Sequence, residues 1–185
     1  MKISEFFKPA SALIIVTVIA AALLGYVHEI TLKPIADQQQ KIESEAIGEI
    51  FSAAIDDSKE QAIPENSPVT RALQVFSGGQ ALGYAIFTSP MGYGGPVDIV
   101  VGIDMQGEIN GVRIVEHTET PGLGANAESP AFINQYKGKS GTLKVTKAAP
   151  GANEIQAVTS ATITSNAVTK GVNDALSYYW QSLAK

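Results

Sequence analysis

The chain has 185 residues, of which 45% are hydrophobic, with no cysteine and two histidines, His28 and His117. Without cysteine it has no disulfides and no thiolate ligands for zinc or an iron–sulfur cluster, and two distant histidines make a histidine-rich metal centre a poor reading. The formal charge is −5; without residues 1–8 the remainder holds 11 basic and 17 acidic residues, a net of −6, which argues against nucleic acid or an anionic membrane surface as partner.

Between Lys8 and His28 lie 19 uncharged residues, PASALIIVTVIAAALLGYV. At about 1.5 Å per residue such a helix approaches the ~30 Å hydrocarbon core, and it exceeds the ~7–15-residue core of a cleaved signal. The following GYVHEI is a poor cleavage site. The expectation is a cytoplasmic N-terminus (1–8) and a retained transmembrane helix (9–28). Lys2, Lys8 and the α-amine precede the span, whereas His28, Glu29 and one nearby lysine, Lys33, follow it. The positive-inside rule then gives a single-pass protein of the cell (inner) membrane with an extracytoplasmic C-terminal domain.

Residues 29–68 read as a stalk helix and a linker. Ile30, Ile42, Ala46, Ile50 and Phe51 are spaced apolar positions. Pro34 predicts a bend in the helix as it leaves the membrane, and the stalk should end near Phe51. The acidic, proline-containing DDSKEQAIPENSP (56–68) reads as linker, so the domain proper covers 69–185.

From Val69 the period shifts towards 2. Runs at 69–76, 81–88, 97–104 and 108–116, separated by SGG, SPMGYGGP and MQGE, predict antiparallel strands. TLKVTK (142–147) and EIQAV (154–158) predict two more. ESPAFINQYKG (128–138) predicts a helix with Ser129 as cap, Pro130 at its first position and Gly138 beyond its end. Val168, Val172, Ala175, Leu176, Tyr179 and Leu183 recur at helical spacing and give a last helix one apolar face. The whole is an α+β chain, an antiparallel sheet with flanking helices behind one transmembrane helix.

The last helix is preceded by VTSATITS, in which Thr159, Ser160, Thr162, Thr164 and Ser165 all carry hydroxyls. Thr162, Thr164 or Ser165 could cap the helix while the others satisfy a turn, or VTSATIT could be a strand. A third reading is an anion site, or a hydroxyl carrying a phosphate ester, at a helix start where backbone N–H groups lack partners.

TSAT (159–162) resembles the S/T-G-A-T flavinylation motif of the FMN-binding domain family. That family includes the G subunit of Rnf ferredoxin:NAD oxidoreductases and the C subunit of sodium-pumping NADH:quinone oxidoreductases. HTETPGLGA (117–125) is similar to the H-x-E-T-P-G-L-G segment of the Rnf G subunit, and GYGGPVDIVVGID (92–104) is a third likeness. The resemblance spans essentially the whole chain. It implies FMN held covalently by a phosphoester to Thr162, attached by a flavin transferase that uses FAD. It also implies an electron-transfer subunit of a membrane-bound, ion-translocating ferredoxin:NAD oxidoreductase complex, with other membrane and soluble subunits as partners. The chain would carry the redox cofactor without a complete active site, catalytic residues or metal ligands of its own. Where the family usually has glycine this chain has Ser160, and where it often has aspartate, six residues before the modified threonine, it has Gln156.

Beside this likeness, Glu119, Thr120, Leu123 and Gly124 are candidates for contact with the isoalloxazine ring. Leu123 would lie on the ring face, Thr120 would donate a hydrogen bond, and Gly124 would let the backbone approach. Thr159, Ser160 and Ala161 complete the candidate cofactor site around Thr162. Pro121-Gly122 suits a type II turn. His117 reads as an exposed strand end, and Lys144 and Lys147 as solvated. Tyr179 reads as core, while Trp180 could anchor a partner. Three alternatives stay open: the homologous subunit of a sodium-pumping quinone reductase, a membrane-anchored flavin-binding sensor or regulatory module, and an unmodified interaction domain.

Overall fold

The structure, a computed structural model, describes residues 3–184, with side chains from Ser11 onward. Met1 and Lys2 of the expected cytoplasmic segment, and the side chains of its other members, lie outside the described residues. The chain divides after Ile42 into two compact units. The first is helical. Helix α1 runs without interruption from Ile3 to Phe51, so it continues through Pro34 and enters the second unit. A proline removes one N–H and crowds the carbonyl four residues earlier, but Ile30 is exposed and water can meet that carbonyl. The expected end near Phe51 is observed. The first unit's apolar run is long enough to cross a membrane, and Leu13, Ile15, Leu23 and Leu24 are each more than half exposed.

In the second unit five strands form an antiparallel meander: β1 (Asp57–Glu60), β2 (Val69–Ser77), β3 (Gln80–Thr88), β4 (Val97–Asp104) and β5 (Ile109–His117). Strand period decides which residue faces which layer. Val97, Ile99, Val101 and Ile103 of β4, with Tyr84 and Ile86 of β3, face helix α3 (Thr162–Tyr178) and its Val168, Val172, Ala175 and Leu176. Val100, Ala85, Phe87 and Val75 face the other way, against Ile47 and Ile50 at the end of α1. The sheet is thus a middle layer between two helices.

Ile50 has room because Gly102 and Gly111 pair across β4 and β5. A Cβ at Gly102 would lie 2.1 Å from Ile50 Cγ2. Arg71 on the same sheet face pairs with Glu43 and stacks its guanidinium 4.2 Å from the Phe87 ring centroid. The linker expected over 56–68 instead contributes β1, an edge strand whose four residues are all exposed. Its DSKE sequence carries no apolar alternation to announce a strand, and its charges protect the edge from further pairing.

Two expected elements differ in detail. The 128–138 helix is a single α turn, α2 (Pro130–Ile133), followed by a 3-10 turn (Asn134–Tyr136), with Pro130 first and Gly138 beyond at φ 73°. Ser129 stands at the cap position but makes no side-chain cap bond. Strands β6 (Lys144–Thr146) and β7 (Glu154–Gln156) pair with each other in parallel, apart from the meander. Tyr179 is core, Trp180 is half exposed, and α3 ends in a π-helical turn over Tyr179–Leu183.

Candidate functional site

The start of α3 is built by a left-handed turn. Ser160 sits at φ 63°, and the Ala161 N–H donates to the Val158 carbonyl at 3.0 Å. For a residue with a Cβ this conformation costs about 1–2 kcal/mol, which surrounding contacts must offset. Ser165 supplies them: its hydroxyl accepts the Val158 N–H at 3.0 Å and donates to the Ala161 carbonyl at 2.9 Å. Glycine would adopt this backbone hand at little cost, and this chain keeps it with a serine.

Side-chain capping of α3, expected from Thr162, Thr164 or Ser165, is not observed. Thr164 and Ser165 are buried and committed elsewhere, Thr164 by donating to Glu119 Oε2 at 2.8 Å. The helix therefore starts with N–H groups that no side chain meets. Among the described residues, the hydroxyls of Thr159, Ser160 and Thr162 make no hydrogen bond.

Glu119 is 6% exposed and joins three segments. Its Oε1 accepts the N–H groups of Tyr93 (2.7 Å) and Gly94 (3.1 Å), and its Oε2 accepts the Thr164 hydroxyl. Glycines close around the carboxylate. A Cβ at Gly92 would lie 2.2 Å from Oε1, and one at Gly124 would lie 2.1 Å from Oε2. Gly124, expected to admit a ligand, thus makes room for an internal carboxylate. Its partner turn has the expected shape: Gly122 has φ 78°, and the Leu123 N–H donates to the Thr120 carbonyl at 3.1 Å.

His117 is not the exposed strand end that the sequence suggests; its side chain is 16% exposed. Its Nδ1 accepts the Glu119 N–H at 3.1 Å, so a neutral imidazole carries its proton on Nε2, 3.2 Å from Glu128 Oε1. Burial pushes the Glu119 carboxyl up, but hydrogen bonds from Thr164, Gly94 and Tyr93, with the field of His117, outweigh it. The group lies below its ordinary value of 4.5 and is ionised at neutral pH. A depressed folded value means that this stabilisation is complete above the unfolded value and is lost as pH falls through the folded one. The urea midpoint of the native chain should exceed that of Glu119→Gln at neutral pH, and the difference should shrink below 4.5. A difference independent of pH would contradict this account.

A cleft of about 410 Å³ opens between these segments, lined by Tyr93, Glu119, Thr120, Leu123, Gly124 and residues 160–164. It brings together all the expected site residues except Thr159, which lies outside it. Tyr93, Ile163 and Thr164 are additions that the sequence does not announce. Tyr93 is 71% exposed and Ile163 56% exposed, so each offers apolar surface at the rim. Among the described residues no lysine, arginine or histidine lines the cleft, and neither Lys144 nor Lys147 reaches it. Thr162, half-buried, lines the cleft.

Residues 92–177, which hold most of this site, match the family model described as the FMN-binding domain. The chain is 35% identical over 198 residues to the G subunit of the Na(+)-translocating ferredoxin:NAD(+) oxidoreductase complex of Acetobacterium woodii, an alignment covering 97% of this chain and 93% of that protein. It is also 43% identical over 100 residues to the proton-translocating counterpart from Clostridium ljungdahlii, across 54% of each chain. Among solved structures it resembles the C subunit of the Na(+)-translocating NADH-quinone reductase from Parabacteroides distasonis, with a TM-score of 0.54 and 27% identity, over 62% of this chain and 63% of that one. The chain belongs to the family of G subunits of ion-translocating ferredoxin:NAD oxidoreductase complexes, and residues 92–177 are its FMN-binding domain.

The residues fit such a cofactor. Uncapped N–H groups of α3 suit a phosphate, and Tyr93, Leu123, Ala161 and Ile163 give apolar surface for a ring. The volume lies within the roughly 300–1,000 Å³ common for small-molecule sites.

Proposed function

We propose that this chain is the membrane-anchored, FMN-carrying electron-transfer subunit of an Rnf-type ion-translocating oxidoreductase complex. It would hold its flavin covalently through a phosphoester to Thr162. The single observation that carries the reading is the cleft itself, in which the TSAT and HTETPGLG segments meet at an uncapped helix start. Thr162 is favoured over Thr164 and Ser165 because those two hydroxyls are buried and already hydrogen-bonded. Ser160 also lines the cleft with a free hydroxyl, but Thr162 occupies the final position of the motif.

Bound FMN would supply reversible uptake and release of electrons. This chain's own residues would do the holding: α3 N–H groups would meet the phosphate, and Leu123, Ile163 and Tyr93 would shelter the ring from water. The Glu119 carboxylate keeps the two loops closed against α3. Maturation would need a flavin transferase, and electrons would pass to and from other membrane and soluble subunits. The cleft domain would face the extracytoplasmic side, on the charge pattern flanking the span. Ion movement is assigned to the partners, because the span from 9 to 27 holds no ionisable group apart from Tyr26.

Peptide mass mapping tests the reading. The full chain, co-expressed with a flavin transferase, should yield a peptide that spans 159–165 and carries one FMN, with fragment ions assigning it to Thr162. A flavin-free chain, or an adduct on Thr159, Ser160 or Thr164, would overturn it. Co-purified proteins test the assignment: subunits of a ferredoxin:NAD oxidoreductase complex support it, and those of a sodium-pumping quinone reductase would overturn it.

A further inference from the structure

The cleft contains one formal charge, and it is negative. Among the described residues lining it, Glu119 is the only charged one. Three hydrogen bonds fix its carboxylate, and two glycines leave it no space to swing away. Among the described residues no lysine, arginine or histidine lines the cleft; His117, whose field favours the Glu119 anion, is outside the lining with its Nε2 at Glu128. The positive field available inside is that of the α3 start, and in the reading above the FMN phosphate takes it.

We propose that Glu119 sets the reduction potential of the flavin held in this cleft, holding it low by keeping a fixed negative charge beside the ring. The inference rests on the FMN reading and deepens it. Two-electron reduction near neutral pH takes two electrons from the reductant and one proton from solvent, so the ring gains one negative charge while Glu119 is unchanged. Charges of like sign in a partly dry cleft repel more strongly than in water. The oxidised ring is therefore favoured over the reduced one. Glu119 thereby acts as a positioning and tuning residue and takes no part in electron transfer itself.

Glu119→Gln separates charge from shape, because the amide keeps an oxygen for the Tyr93 and Gly94 N–H groups and can still bond Thr164. The full-length flavinylated chain in detergent would be titrated with dithionite and its midpoint read from the flavin absorbance. The expected result is a shift of about tenfold in the two-electron equilibrium towards the reduced form, about 30 mV upward. Thr164→Val, which removes one hydrogen bond and keeps the charge, should shift it by less than about threefold. If Glu119→Gln does not fold, Thr120→Lys places an opposing charge at an exposed position of the same cleft and should raise the midpoint, which shows whether charge on this wall reaches the ring.

An unmoved midpoint in a folded, flavinylated Glu119→Gln chain overturns the inference, as does an unmoved Thr120→Lys midpoint where the first variant fails to fold. A Thr164→Val shift equal to that of Glu119→Gln would assign the effect to shape and also overturn it. Flavin occupancy at Thr162 is measured separately by mass. Its absence would sink the FMN reading and this inference together, whereas occupancy with an unmoved midpoint sinks only the inference.

Discussion

Thr162→Ala is expected to abolish covalent flavin while leaving the fold intact. The wild-type chain, co-expressed with a flavin transferase, should give a fluorescent band on a denaturing gel, and the variant should give none. The fold should survive because the Thr162 hydroxyl has no protein partner and the residue stands on the first turn of α3. Alanine is the better helix former, so stability should change by less than about 0.5 kcal/mol. A fluorescent variant would mean that a neighbouring hydroxyl accepts the flavin. A variant that loses its flavin and also melts much earlier would mean that Thr162 has a structural task which the hydrogen-bond pattern does not reveal. The comparison should be made on flavin-free chains, since a bound cofactor itself raises apparent stability.

Gly124→Ala is expected to damage the site from within. The added carbon would lie 2.1 Å from Glu119 Oε2, 2.9 Å from Glu119 Cδ and 2.8 Å from Thr164 Oγ1. A flexible side chain could step aside at small cost, but this carboxylate is held by three donors. Overpacking of this kind costs about 1–3 kcal/mol, and each lost hydrogen bond to a charged group adds about 1.5–3. A loss of about 2–5 kcal/mol should lower the melting midpoint by roughly 10 °C. The diagnostic measurement is a double-mutant cycle. In a Glu119→Ala background the nearest clash partner is gone and Thr164 Oγ1, at 2.8 Å, remains, so the cost of Gly124→Ala should fall without vanishing. Equal costs in both backgrounds would show that Gly124 matters for some other reason.

These two expectations mark how far the sequence carries. The meander strands are legible because glycine-rich turns separate period-2 runs, and the last helix because its apolar positions recur at helical spacing. Pro121-Gly122 announces its turn by chemistry alone. Glu119 is visible as a site candidate, but its bridging role in the fold is not. Nothing local shows that Tyr93, Gly94 and Thr164, far away in the chain, converge on its two oxygens. The same long-range demand explains the failed capping expectation, since Thr164 and Ser165 are occupied by tertiary and turn contacts. Tyr93 is hidden within a loop whose only signal is its glycine density. Strand β1 escapes notice because a short charged edge strand has no buried face to print a pattern.

The lack of any cation in the described cleft wall has a consequence for how long a flavin could stay. A free nucleotide carrying a phosphate dianion would find helix N–H groups on one side and a carboxylate on the other. With no arginine or lysine on that wall, a reversibly bound nucleotide would rely on helix N–H groups and apolar contacts alone, and its occupancy would follow the surrounding FMN concentration. On the proposed reading an ester bond removes that dependence altogether. Residence then no longer depends on an off-rate, and the wall can carry a carboxylate without loss of occupancy.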